Sequence, residues 1–110
     1  MRYLRLKKQK DILKVLKTGS RAYSPSLTIA YLPAERVQMA VCVGKKFGKS
    51  VQRNRIKRLL RAAFFQYVDR IKSPAAILLL PKQAEEYSYS LFVRDIGKIL
   101  KKEHLIESTL

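Results

Sequence analysis

The run "PAAILLLP", Pro74 to Pro81, constrains the fold of this chain more than any other stretch. It is continuously apolar and bounded by proline at both ends. Such a run reads as a strand covered on both faces, so it belongs inside a sheet that has further layers packed against it.

The rest of the chain supplies the partners. Helical spacing of Ile12, Val15 and Leu16 predicts a helix over Lys8 to Lys17, with a basic last turn and Gly19 as its stop. After "YSPS", the strand formers of "LTIAYL" (Leu27 to Leu32) predict one strand. The alternation of Val37, Met39, Val41 and Val43 in "VQMAVCV" predicts a second. The short "PAER" between them predicts an antiparallel hairpin. A helix over Val51 to Tyr67 then leads into the apolar strand, which implies a βαβ unit with a parallel pair. Ser88 is the candidate N-cap of a last helix reaching about Glu103, with Leu91, Phe92, Ile96, Ile99 and Leu100 facing inward. The order αββαβα describes an α/β (α+β) two-layer sandwich with one sheet. No repeat or linker divides the 110 residues, so a single domain over 1–110 is expected.

Charge decides what kind of partner this fold serves. The 24 Lys and Arg against 8 Asp and Glu give +16, a self-repulsion that a polyanion would neutralise. Eight basic residues fall within Arg2 to Arg21 against Asp11 alone, and no acid lies between Glu35 and Asp69. A membrane surface is a poor fit, because the chain has no Trp and no apolar run near the roughly 18 residues needed to span a bilayer. The N-terminal "MRYLRLKKQKDILKVL" lacks the apolar core of a secretory signal, so the expected location is cytoplasmic. Cys42 and His104, the only residues of their kinds, make neither a disulfide nor a zinc ligand set, and no metal held by the protein is expected. Catalytic groupings are missing too. His104 offers no convincing triad, the acids gather in a solvated C-terminal pattern, and "GKKFG" is not a phosphate-cradling loop.

What remains is binding, and it concentrates in "GKKFGKSVQRNRIKRLLRAAFF", residues 44 to 65, where eight Lys or Arg occupy the seventeen positions from Lys45 to Arg61. At 100° per residue, Ile56, Leu59, Leu60, Ala63 and Tyr67 share a core arc. Asn54, Lys57, Arg58 and Arg61 share another about 150° away, flanked by Arg53 and Arg55. Cations in a helix's first turn oppose its dipole, so helix stability does not explain Arg53 and Arg55. Phe65 falls on the basic arc. A DNA-reading helix-turn-helix needs a preceding helix and a short turn, whereas this helix follows a strand and a loop, which favours RNA.

The stretch "KKFGKSVQRNRIKRLLRAAF" closely resembles the signature of the bacterial ribonuclease P protein family, through Lys45, Lys46, Gly48, Val51, Arg53, Asn54, Arg55, Lys57, Arg58, Arg61 and Phe64. The resemblance extends to "RLKKQKDILKVLKTGS" and to the strand containing Tyr31. It implies a mixed sheet with a left-handed βαβ crossover. It also implies an accessory subunit of a ribonucleoprotein endonuclease, whose catalytic RNA matures the 5′ end of precursor tRNA and itself requires magnesium. No obligate protein partner is implied. By similarity, Arg53, Asn54, Arg55, Lys57, Arg58 and Arg61 dock on the catalytic RNA. A cleft between the first helix and the sheet, lined by Ile12, Leu16 and Tyr31 with Lys45 and Lys46 near the phosphates, takes the single-stranded 5′ leader. The family usually carries aromatics at the two first-helix positions, where this chain has Ile12 and Leu16. A small basic ribosomal protein shares the charge, size and fold class, but has no reason to carry the Arg-Asn-Arg spacing.

Overall fold

The computed structural model describes residues 3–107. Its elements are β1 (Leu4–Arg5), α1 (Gln9–Thr18), β2 (Ser20–Tyr23), β3 (Leu27–Pro33), β4 (Gln38–Val41), α2 (Ser50–Phe65), β5 (Ala75–Pro81) and α3 (Tyr89–Lys102). Short 3-10 turns at Lys45–Phe47 and Val68–Arg70 precede and follow α2. The expected αββαβα order is present, with β1 and β2 added at the two edges of one five-stranded mixed sheet ordered β1-β4-β5-β3-β2.

The apolar run takes the central place its composition demands. β5 pairs antiparallel with β3, through Leu27↔Pro81 to Pro33↔Ala75, and parallel with β4, through Gln38↔Ala76 to Val41↔Leu79. This corrects the expected β3–β4 hairpin: the two strands run antiparallel but do not touch, because β5 is inserted between them. The strand with no polar face is better buried in the middle than at an edge, and its position overrides a turn that would otherwise have closed locally.

Side chains alternate across the sheet into two cores. Leu27, Ile29, Met39, Ile77 and Leu79 meet Ile56, Leu60 and Phe64 of α2 and Phe92, Ile96 and Leu100 of α3 in the larger one. Ala30, Ala76 and Leu78 meet Val15 of α1 and Leu6 on the opposite face. The sheet and the α2–α3 layer thus form the main sandwich, and α1 covers only part of the far side. There Leu32, Ala40, Cys42 and Leu80 stay partly exposed.

The hand of the crossover follows from L-residue stereochemistry. With its side chain toward the viewer and its strand running upward, an L-residue points its own N–H and C=O to the right. Leu79 faces the α2–α3 layer, and its carbonyl accepts from Cys42 N–H at 2.9 Å, so β4 lies to the right of β5. The chain leaves β4, passes through α2 on the viewer's side and returns to its left. The crossover is left-handed, against the usual rule.

Two local devices hold the frame. Gly19 ends α1 with extended backbone (φ −74°), not the left-handed form expected of a stop glycine. It must be glycine for a different reason: a Cβ there would lie 2.5 Å from the Val15 carbonyl oxygen and 2.7 Å from that of Tyr31. Asp95 of α3 is wholly buried and accepts from Ser26 Oγ (2.6 Å), Ser26 N–H (3.1 Å) and Arg94 Nε (3.0 Å), which pins the β2–β3 turn to the helical layer. Burial alone would raise its pKa, but the bonds from Ser26 and Arg94 outweigh it and hold the carboxyl below its ordinary range.

Candidate nucleic-acid interface

α2 is built as the wheel requires, one residue earlier than expected and ending at Phe65. Lys49 N–H donates to Gln52 Oε1 (2.8 Å) and its carbonyl accepts from Arg53 N–H (2.9 Å), closing the first turn. Gly48 immediately before it has φ +111°, a conformation that L side chains rarely adopt. Ile56, Leu60, Ala63 and Phe64 are buried, while Leu59 and Tyr67 are half-buried. Phe64 lies outside the predicted core arc, yet it is fully buried and meets the Tyr3 ring edge-on at 5.4 Å.

The six basic-face residues do not form one flat surface. Asn54, Arg58 and Arg61 line a shallow groove of about 730 Å³ together with Tyr3, Phe65 and Tyr89. Aromatic rings interleaved with arginines give both flat faces for bases and forked donors for phosphates. Phe65, 47% exposed, therefore faces this groove and is not enclosed in the core. Arg55 lies round the helix, in a second groove with Lys46, Phe47 and Gln52. Arg53 and Lys57 flank the core and are half-buried. Arg53 Nη2 donates to Ser50 Oγ (3.3 Å), while its Nε is buried with no hydrogen-bond partner.

The expected cleft group does not come together. Ile12 and Leu16 pack on the far core, but Tyr31 points to the other side, against the main core, where its hydroxyl donates to Glu103 Oε1 (2.5 Å) at the end of α3. Burial and then the Glu103 carboxylate push the Tyr31 hydroxyl's pKa up. The correction is one of parity. Tyr31 shares its face with Leu27 and Ile29, and the residues of β3 on the same face as Ile12 and Leu16 are Ala30 and Leu32. Period-2 alternation already contained this, since Leu27 and Ile29 are obvious core residues. Lys46 is likewise on the helical layer, with its Nζ 5.4 Å from the Phe47 ring centre, and Lys45 is exposed on the same turn. The far face beneath α1 carries aliphatic and small side chains, including half-buried Cys42, whose thiol pKa burial raises.

His104 is exposed just after α3 with φ 60°. Among the described residues, no group of three or more His, Cys, Asp or Glu could hold a metal ion. No helix among them is long and apolar enough to cross a membrane.

A mixed sheet with a left-handed crossover, carrying one long cationic helix edged by aromatics, defines a small basic protein made to hold a polyanion. Comparison with known proteins narrows the class. The family model for ribonuclease P matches residues 1–104. The ribonuclease P protein component of Streptococcus equi subsp. equi is 30% identical over 105 residues, covering 94% of this chain and 88% of that protein. That of Coprothermobacter proteolyticus is 41% identical over 78 residues, covering 71% and 66%. The fold is also that of the Staphylococcus aureus ribonuclease P protein (TM-score 0.81, 22% identity, 94% of this chain and 97% of that one). The Thermotoga maritima protein has it too (TM-score 0.79, 22% identity, 89% and 96%). The chain belongs to the ribonuclease P protein family, the protein components of the endoribonuclease that matures the 5′ end of tRNA, and it acts with an RNA subunit.

Proposed function

We propose that α2 is the docking surface for the catalytic RNA and that the far face of the sheet receives the 5′ leader of precursor tRNA. The observation that carries the first half is the groove of Asn54, Arg58 and Arg61, cationic and aromatic with no acid in its lining. Arg55, Lys57 and Arg53 extend the cationic surface on either side, and Lys46 joins them from the turn before the helix. Each cation that meets a phosphate releases counterions, which lowers the magnesium the RNA needs to fold and to cleave. The metal ions of the reaction enter with the RNA in this reading, and the protein works in the cytoplasm as one domain.

The leader lies along the face left half-open by α1, against Ile12, Leu16, Leu32 and Leu80, with Lys45 at the turn after β4 meeting its phosphates. Aliphatic contacts replace base stacking, which is worth about 1–3 kcal/mol per base where an aromatic supplies it. Titration of labelled catalytic RNA and of precursor tRNA with the same variants tests the division. Arg58→Ala is expected to weaken catalytic-RNA binding without changing the preference for leader-bearing precursor, and Leu16→Asp to do the reverse. The opposite pattern would overturn it.

A further inference from the structure

The groove beside the first turn of α2 differs from the rest of the cationic surface in carrying acids. It encloses about 560 Å³, the size range of sites that hold a single small ligand. Buried Ile56 and half-buried Phe47 and Tyr87 give it an apolar part, and the exposed side chains of Lys46, Arg55, Glu85 and Glu86 line it as well. The loop that carries the acids is fixed across the groove: Gln83 Nε2 donates to the Lys46 carbonyl (2.8 Å) and Ala84 N–H donates to the Tyr87 hydroxyl (3.2 Å). Tyr87 is held in turn by Phe92, with ring centres 6.3 Å apart and planes 29° from parallel.

Carboxylates at the edge of a polyanion-binding surface work against binding unless they meet a donor. Among the described residues neither Glu85 nor Glu86 forms an ion pair, although two cations line the same groove. Of the groups an RNA presents, only base edges donate hydrogen bonds within a flat apolar body, and guanine offers an adjacent pair, N1–H and N2–H, that one carboxylate accepts together. We infer that this groove binds one unstacked guanine nucleotide of an RNA partner. The base lies on the apolar part formed by Phe47, Ile56 and Tyr87, its Watson–Crick edge meets Glu85 or Glu86, and its phosphates lie at Lys46 and Arg55. Uracil offers only N3–H, and adenine only its exocyclic amine, so both fit less well.

The inference deepens the reading of α2 as an RNA surface and can fail separately from it. The probes are short labelled uridine oligomers carrying one central G, A, C or U, titrated by fluorescence anisotropy at one fixed ionic strength. The wild-type chain is expected to favour the G oligomer over the all-U oligomer by roughly tenfold, within the range of a good bidentate base contact. The double variant Glu85→Gln/Glu86→Gln, changed at two exposed side chains, is expected to bind all four oligomers alike and no more weakly than the wild type binds all-U. Equal binding of G and U by the wild type overturns the inference, as does a G preference that survives in the double variant. If Arg58→Ala still weakens catalytic-RNA binding when no G preference exists, the α2 surface stands and this groove alone is misread.

Discussion

The cations of α2, of which Arg55 and Arg58 are exposed and Arg53, Lys57 and Arg61 half-buried, should contribute to RNA binding by charge neutralisation, and the size of that contribution can be worked out. Arg53, Arg55, Lys57, Arg58 and Arg61 are the five cations of the helix. If each meets one phosphate, log K should fall with log salt at a slope of about −3.5 to −4.5, taking roughly 0.7 to 0.9 per contact. Between about 50 and 200 mM salt that is a loss of a few hundredfold. The double variant Arg58→Ala/Arg61→Ala removes both cations from the Asn54 groove and leaves three contacts. Its slope should be about −2.1 to −2.7, a loss of about thirtyfold over the same range. Neither side chain has a hydrogen-bond or ion-pair partner within the described residues, so the melting temperature should stay within a degree or two. Filter binding or anisotropy titration of the catalytic RNA at several salt concentrations measures the slope. An unchanged slope in a folded double variant would refute the placement of phosphates along this groove.

Other side chains make separable predictions. Arg53→Met removes a buried Nε that lacks a partner, so the isolated protein should keep its stability or gain up to about 1 kcal/mol by chemical denaturation, while RNA affinity falls. Asp95→Asn should cost about 1–3 kcal/mol at neutral pH. Because the folded carboxyl is held below its ordinary value, its contribution is present above about pH 4 and lost as pH falls through the folded value. Denaturation curves of wild type and variant should therefore converge in acid. Tyr31→Phe, which loses the bond to Glu103 but keeps the ring, should cost about 1 kcal/mol in the same assay and leave leader preference untouched.

Much of the fold was legible because its strongest signals are local. The apolar strand, the Ser88 cap, whose Oγ accepts from Leu91 N–H at 3.4 Å, and the 3.6-residue period of α2 all act within a few residues of themselves. The strand order was not legible, since the PAER turn suits a hairpin and only the global need to bury β5 excludes it. Leu91, expected inward, is 42% exposed beside buried Phe92, a shift of one position on an arc that sequence defines loosely. β2 carries no apolar signal in the sequence because Ala22 is its only buried residue. In the candidate site, the helical face was readable and the cleft was not. Tyr31 entered through resemblance, while its own parity with Leu27 and Ile29 assigned it to the opposite layer. The Glu85–Glu86 groove forms between residues 46–56 and 83–87 and leaves no linear signature.

The central claim is that the protein serves a catalytic RNA through one surface and the substrate's leader through another. Reconstitution with a bacterial catalytic RNA at low magnesium tests it most directly, by comparing 5′ cleavage of precursor tRNAs with long and minimal leaders. The account predicts that the protein accelerates cleavage and does so more for the long leader. No acceleration, or acceleration independent of leader length, would contradict it.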